Sequence, residues 1–226
     1  MADIRTSGVI DPTDSRSVPE SPLSYGGRWA VYFQDGSDTL SLYDIDGVHH
    51  SITLTDQSPA NPQQAHYRWT PQTFTGDCEI WGHISALLGW DDGASLSLGF
   101  TDANGSSWNG WHGRANNTFS FNGFEIWKIT GGSGTKVAQT SGGYGVPSHE
   151  DLMLVRRAGS QIQIWSSSDG GANWTNDLNY TDSAYQTSMY LSVGSSVASV
   201  TDYPGLYHIG GGQAKHRAQI YRYVSN

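Results

Sequence analysis

The feature that most constrains this chain is the two-residue period that recurs along it. Cys78-Glu79-Ile80-Trp81-Gly82-His83-Ile84 places Ile80 and Ile84 on one face and Glu79, Trp81 and His83 on the other. Ser95 to Phe100 alternates in the same way, and Gly27 to Phe33 reads as a first strand closed by the turn Asp35-Gly36-Ser37-Asp38. Phe119–Phe121 and Phe124–Ile129 read as two strands meeting at an Asn122-Gly123 turn, the strongest short-range hairpin signal. Leu152–Arg157 and Gln161–Trp165 flank the turn Ala158-Gly159-Ser160, and Met189–Gly194 and Ala218–Val224 close the chain. No stretch carries a helical period. Short strands spaced by Gly- and Asn-rich turns predict an all-β protein, a sandwich or barrel. The 28 Gly, 9 Trp and 12 Tyr fit, because aromatics suit pleated, half-buried surfaces and glycines supply the turns.

At 226 residues the chain fits a single all-β domain and can bury a core without covalent staples. Its one cysteine, Cys78, excludes an internal disulfide framework and a multi-cysteine zinc site. A formal charge of −9 is a poor match to phosphate backbones, so no nucleic-acid partner is expected. No run approaches a membrane span, and no membrane partner is expected. The segment beginning Met1-Ala2-Asp3-Ile4 lacks the apolar core of a signal peptide, which predicts synthesis and folding in a cytoplasm. Residues 1–22 hold Pro12, Pro19 and Pro22 with scattered charges and no periodicity. They are expected to form an extended docking arm, with residues 23–226 as the sandwich.

The order of elements adds a resemblance. Phe124 to Gly132 runs into Thr135–Thr140. Leu152–Arg157 and Gly159–Trp165 follow, then Gly170-Gly171-Ala172-Asn173-Trp174, then Tyr180 to Tyr185. This order resembles the concanavalin A-like lectin/glucanase superfamily in its laminin-G-like form, closely over residues 119–194 and loosely over 23–224. The resemblance implies a two-sheet antiparallel jelly roll. Domains of this kind occur on bacteriophage virions, in tail and capsid-decoration proteins, often behind an N-terminal arm. It does not imply one function.

Glycoside hydrolases of this fold carry two carboxylates on one strand, about 5–5.5 Å apart in the retaining mechanism. The family motif, Glu-x-Asp-x-x-Glu, does not occur here. The glutamates are Glu20, Glu79, Glu125 and Glu150; Glu79 and Glu125 each stand alone on a strand, with a tryptophan two residues on. No enzyme is therefore expected. Ser167-Ser168-Asp169-Gly170-Gly171-Ala172-Asn173-Trp174 resembles the Asp-box of sialidases and reads as a tight turn. Calcium, the usual ion of lectin-like folds, takes oxygen ligands, and Asp91, Asp92, Asp102 and Asn104 are the candidates. Asp44-Ile45-Asp46-Gly47 is another, though plain turns explain each of these runs; no other cofactor is implied. Asn104, Asn116, Asn173 and Asn179 head Asn-x-Ser/Thr sequences, which matter only on a secretory route.

Sugar sites pair an aromatic platform with polar side chains that bond hydroxyls. Trp108-Asn109-Gly110-Trp111-His112 fits that chemistry if it is a loop with both rings turned outward; the competing reading makes the rings core. Three readings follow. The first is a non-enzymatic virion surface protein, a phage capsid decoration or minor tail protein. The arm would dock it on other virion proteins in a multi-copy assembly, and the sandwich would be displayed for adhesion to host-surface glycans. The second is a free carbohydrate-binding lectin module. The third, a glucanase-like hydrolase, lacks its carboxylate pair.

Overall fold

The computed structural model describes residues 29–34, 39–44, 50–55, 63–70, 72–85, 94–102, 107–118, 121–141, 151–197 and 205–213. The arm expected over residues 1–22 and the strand expected over 218–224 lie outside them.

Among the described residues the chain forms fourteen strands. They are β1 (Trp29–Gln34), β2 (Thr39–Asp44), β3 (His50–Thr55), β4 (Gln63–Trp69), β5 (Cys78–Ser85), β6 (Ala94–Thr101) and β7 (Gly110–Thr118). Then come β8 (Phe121–Thr130), β9 (Ser133–Gln139), β10 (Leu152–Ala158), β11 (Gln161–Ser167), β12 (Thr175–Thr181), β13 (Tyr190–Val197) and β14 (Gly205–Gln213). One sheet, A, runs β1-β4-β13-β6-β7-β8-β9; the other, B, runs β12-β11-β10-β5-β14-β3-β2. All pairings are antiparallel. The two-sheet jelly roll expected from the sequence is the fold.

The core lies between the sheets and follows strand parity. Leu96, Leu98 and Phe100 of β6, Trp111 and Ala115 of β7, and Phe124 and Ile126 of β8 meet Ile80, Ile84, Val155, Ile162 and Ile164 of sheet B. Burying each large apolar side chain contributes about 1.5–3 kcal/mol. At the centre Gly113 lets sheet B approach, since a Cβ there would press on the Val155 and Ile164 side chains. One charge sits in this interior. Arg157, at 0% exposure, donates to the carbonyls of Phe74, Gly76, Tyr185 and Thr187 at 2.7–3.0 Å, tying two connecting segments to β10.

Two expectations are corrected. Asn122-Gly123 is no turn: β8 passes straight through it, with Asn122 paired to Asn117 and Gly123 to Asn116. The hairpin partner is β7, and the ladder overrides the local turn signal. For the same reason the expected loop 108–112 is in part strand, since β7 starts at Gly110.

Candidate functional site

The outward face of sheet A is polar. Parity along the central strands turns Ser95, Ser97 and Gly99 of β6 and Ser192 and Gly194 of β13 away from the core, a floor of small residues. The flanking strands supply long side chains: His66 and Arg68 from β4, His112, Arg114 and Asn116 from β7, Glu125 and Trp127 from β8, Lys136 from β9. On a flat sheet three strand spacings would hold His66 and His112 about 14 Å apart. Their rings in fact stack at 4.6 Å, 26° from parallel. The two side chains therefore lean toward each other, and the imidazoles lie over the glycines. A Cβ on Gly194 would overlap the His66 ring, and one on Gly99 would come 2.9 Å from the His112 ring.

This half of the face is sealed. Tyr32, the extra residue at the β1 bulge, reaches across so that its hydroxyl and His112 Nε2 lie 2.9 Å apart in a hydrogen bond. Trp108 packs edge-on to Tyr32 at 5.0 Å and over His112 at 5.0 Å. Burial pushes the His66 pKa down to about 3, helped by the Arg114 charge. His112 lies well below its ordinary value through burial, His66 and Arg114, so both rings are neutral at pH 7. Burial raises the Tyr32 phenol well above its usual range.

The other half is open. Glu125 lies directly across from Arg114, and Trp127 across from His112. Glu125 is itself buried, and both its oxygens are occupied: Oε2 accepts from Trp127 Nε1 at 2.7 Å and Oε1 from Lys136 Nζ at 2.9 Å. The Arg114 guanidinium carbon sits 4.5 Å from the centre of the Trp127 ring. Burial pulls the Arg114 pKa down, opposed by the charge of Glu125. Trp127 is half-buried and locked in place, its N–H by a carboxylate and its face by a cation. Gly134 adds no side chain beside it; a Cβ there would stand 3.2 Å from the indole.

The sequence-predicted residues are distributed otherwise. Trp108 is 3% exposed and Trp111 is 0% exposed, so neither ring is turned to solvent, which corrects the exposed-platform reading. Trp111 faces the core by parity, against Tyr180 and Tyr185; Trp108 and His112 belong to the sealed half. Asn109 braces the backbone. Its N and Nδ2 donate to the two carboxylate oxygens of Asp102 at 2.8 Å, and its Oδ1 accepts from Gly131 N at 3.0 Å. Asp102, a calcium candidate, is thereby engaged in fixing the β6–β7 connection. Asp91, Asp92 and Asn104 lie outside the described residues. Among the described residues no group of three His, Cys, Asp or Glu side chains could hold a metal ion. Glu79 and Glu125 stand on the outward faces of opposite sheets, and Glu79 is paired with Arg156 at 2.6 Å. The Asp-box-like segment is the expected turn. Asp169 accepts from Ser167 Oγ and Asn173 N at 2.8 Å and from Asn173 Nδ2 at 2.6 Å. Sequence reasoning missed Arg114 and Lys136. The signal was the pair of i, i+2 patterns His112-x-Arg114-x-Asn116 and Glu125-x-Trp127, which share a face once β7 is recognised.

No family model matches the chain, and no curated protein matches it. Solved structures do. The VIP36 exoplasmic/lumenal domain in its Ca2+/Man3GlcNAc-bound form is similar at a TM-score of 0.59 with 13% identity, over 85% of this chain and 86% of that one. A Bacillus subtilis protein with a galectin-like fold matches at 0.59 with 12% identity, over 93% and 98%. The carbohydrate-binding module CBM66 from Bacillus subtilis matches at 0.53 with 9% identity, over 81% and 94%. These likenesses establish the fold as that of the galectin- and concanavalin A-like lectins.

Proposed function

We propose that this chain is a carbohydrate-binding domain that takes a glycan on the open half of the outward face of sheet A, with Trp127 as the stacking platform. The observation that carries this reading is the immobilised Trp127 ring, set between Arg114, Glu125 and Lys136. An indole fixed before binding loses little freedom when a pyranose stacks on it, and the charged groups around it can bond hydroxyls directionally. The neighbours add support: VIP36 was solved with a bound oligosaccharide, and CBM66 is a carbohydrate-binding module.

The test is a glycan array followed by titration calorimetry on the wild type, Trp127→Ala and, as a control on sheet B, Trp165→Ala. Loss of one stacking ring should cost about 1–3 kcal/mol of affinity, by analogy with aromatic platforms that stack bases. Trp165→Ala should bind as the wild type does. A folded Trp127→Ala that keeps full affinity overturns the reading.

The wider setting we propose is non-enzymatic display on a virion surface, on a phage capsid or tail, with residues 1–22 docking on other virion proteins in many copies. It rests on the composition break near Leu23 and on the family resemblance. Deleting residues 1–22 should leave a folded domain that no longer joins its particle; full occupancy by the truncated protein would refute it.

A further inference from the structure

The open half of the outward face is unbalanced in its hydrogen-bonding capacity. Its one carboxylate is already engaged, because each Glu125 oxygen accepts a bond, from Trp127 and from Lys136. Its donors are not. Among the described residues none hydrogen-bonds the Arg114 guanidinium, which lies over the face of Trp127. Asn116 follows two residues on along the same face; it is 4% exposed and its Nδ2 is buried without a partner. Lys136 has one N–H on Glu125, lies over the Phe121 ring and is partly open to solvent, its side chain 40% exposed.

The charge is unbalanced in the same sense. Arg114 and Lys136 against Glu125 leave one net positive charge, in a chain whose formal charge is −9. The neighbouring imidazoles of His66 and His112 are held neutral and add nothing. A neutral sugar offers hydroxyls that donate as well as accept, whereas the donors of this patch outnumber its one, already engaged, carboxylate. An anionic group only accepts, and the planar guanidinium fork fits it through paired N–H···O bonds.

We infer that the saccharide bound here is an anionic one, whose acid group is received by the guanidinium of Arg114 beside the Asn116 amide while its ring stacks on Trp127. Uronic and sialic-acid-type sugars present a carboxylate and sulfated sugars a sulfate, and the shared chemistry is a singly charged oxyanion on a pyranose. The inference rests on the glycan-binding reading and narrows it.

The experiment uses the full chain and calorimetry with three probes: an oligouronate, the same oligomer with its carboxyls reduced to neutral alcohols, and a sulfated oligomer. The oligouronate should bind about 10- to 100-fold more tightly than its reduced form, the range for charge-assisted bonds. That preference should shrink as salt rises. Arg114→Gln should erase the preference, so that the acidic and reduced oligomers bind alike; Arg114→Lys should keep part of it. Tighter binding of the sulfated oligomer would name sulfate as the source of the same oxyanion. Equal affinity for the acidic and reduced oligomers refutes the anionic inference and leaves glycan binding standing. No binding of any probe, on an array of neutral and acidic glycans alike, refutes both. The comparison of oligomers on the wild-type chain needs no variant, so poor folding of Arg114→Gln leaves the test intact.

Discussion

Acid should destabilise this domain through His66 and His112. The folded-state pKa of His66 is about 3, against 6.5 for the free side chain, mainly because the ring is buried. Below pH 6.5 the unfolded chain binds a proton that the folded chain refuses. Stability is therefore fully present above about pH 6.5 and is lost as pH falls from there toward 3. Each such histidine sets a slope of about 1.4 kcal/mol per pH unit. His112, stacked on His66 at 4.6 Å, is shifted in the same direction, and the two titrate as a pair. Between pH 6.5 and 5 His66 alone should remove about 1.7 kcal/mol, with His112 acting in the same direction, against the 5–15 kcal/mol that holds a typical domain. Asp169, held at about 2 chiefly by the Asn173 backbone bond, and Asp182, lowered chiefly by Lys128, act only below their ordinary values near 4. Urea unfolding at half-unit steps from pH 7.5 to 5 measures the slope. His66→Gln, neutral at every pH, should flatten it by about 1.4 kcal/mol per unit and should leave the remainder to His112. A wild-type stability that does not change between pH 7 and 5 would refute the argument, as would a variant with an unaltered slope.

Arg157→Met should destabilise the domain by at least about 3 kcal/mol in denaturant titration, because four carbonyls lose a buried donor; a loss under 1 kcal/mol would show that those carbonyls are otherwise satisfied. Gly194→Ala should cost about 1–3 kcal/mol by forcing the His66 ring off its floor, measured by the shift in thermal midpoint. No release of reducing ends from β-glucans is expected, since Glu79 and Glu125 are separated by the thickness of the sandwich; release by the wild type above a Glu79→Gln, Glu125→Gln double variant would overturn this.

The fold was legible wherever one face of a strand is apolar and the other polar. β5, β6 and β11 were read with nearly their observed bounds, because Ile80, Leu96, Leu98 and Ile164 mark a buried face at period two, and β10 was read as a short apolar run closed by a glycine turn. β14 escaped notice because Gly205, Gly210, Gly211 and Gly212 interrupt any pattern, yet they pair along β5; Gly211 is required there, since a Cβ would collide with Leu191 and the Glu79 carbonyl. β4 escaped because both its faces carry polar or aromatic residues, His66 outward and Tyr67 inward. A strand covered on both sides gives no alternation to read.

The site was hidden by the same loss of contrast. β7 reads Gly-Trp-His-Gly-Arg-Ala-Asn-Asn-Thr, in which the inward set is Trp111, Gly113 and Ala115 and only one member is plainly apolar. Without that strand, Trp108 to His112 looked like a loop with two rings free to stack, and Arg114 had no neighbours. With it, one alternation decides everything nearby. Trp111 goes to the core, His112 goes to the sealed cluster under Tyr32, and Arg114 emerges two residues later beside Trp127. Composition could not supply this, because the tryptophan that forms the platform is chemically the same as those that form the core. What separates them is the partner of each ring. Trp127 has a carboxylate on its N–H, set there by the i, i+2 alternation of β8, and a guanidinium on its face, set there by cross-strand register, which the sequence expresses only after the strands have been paired.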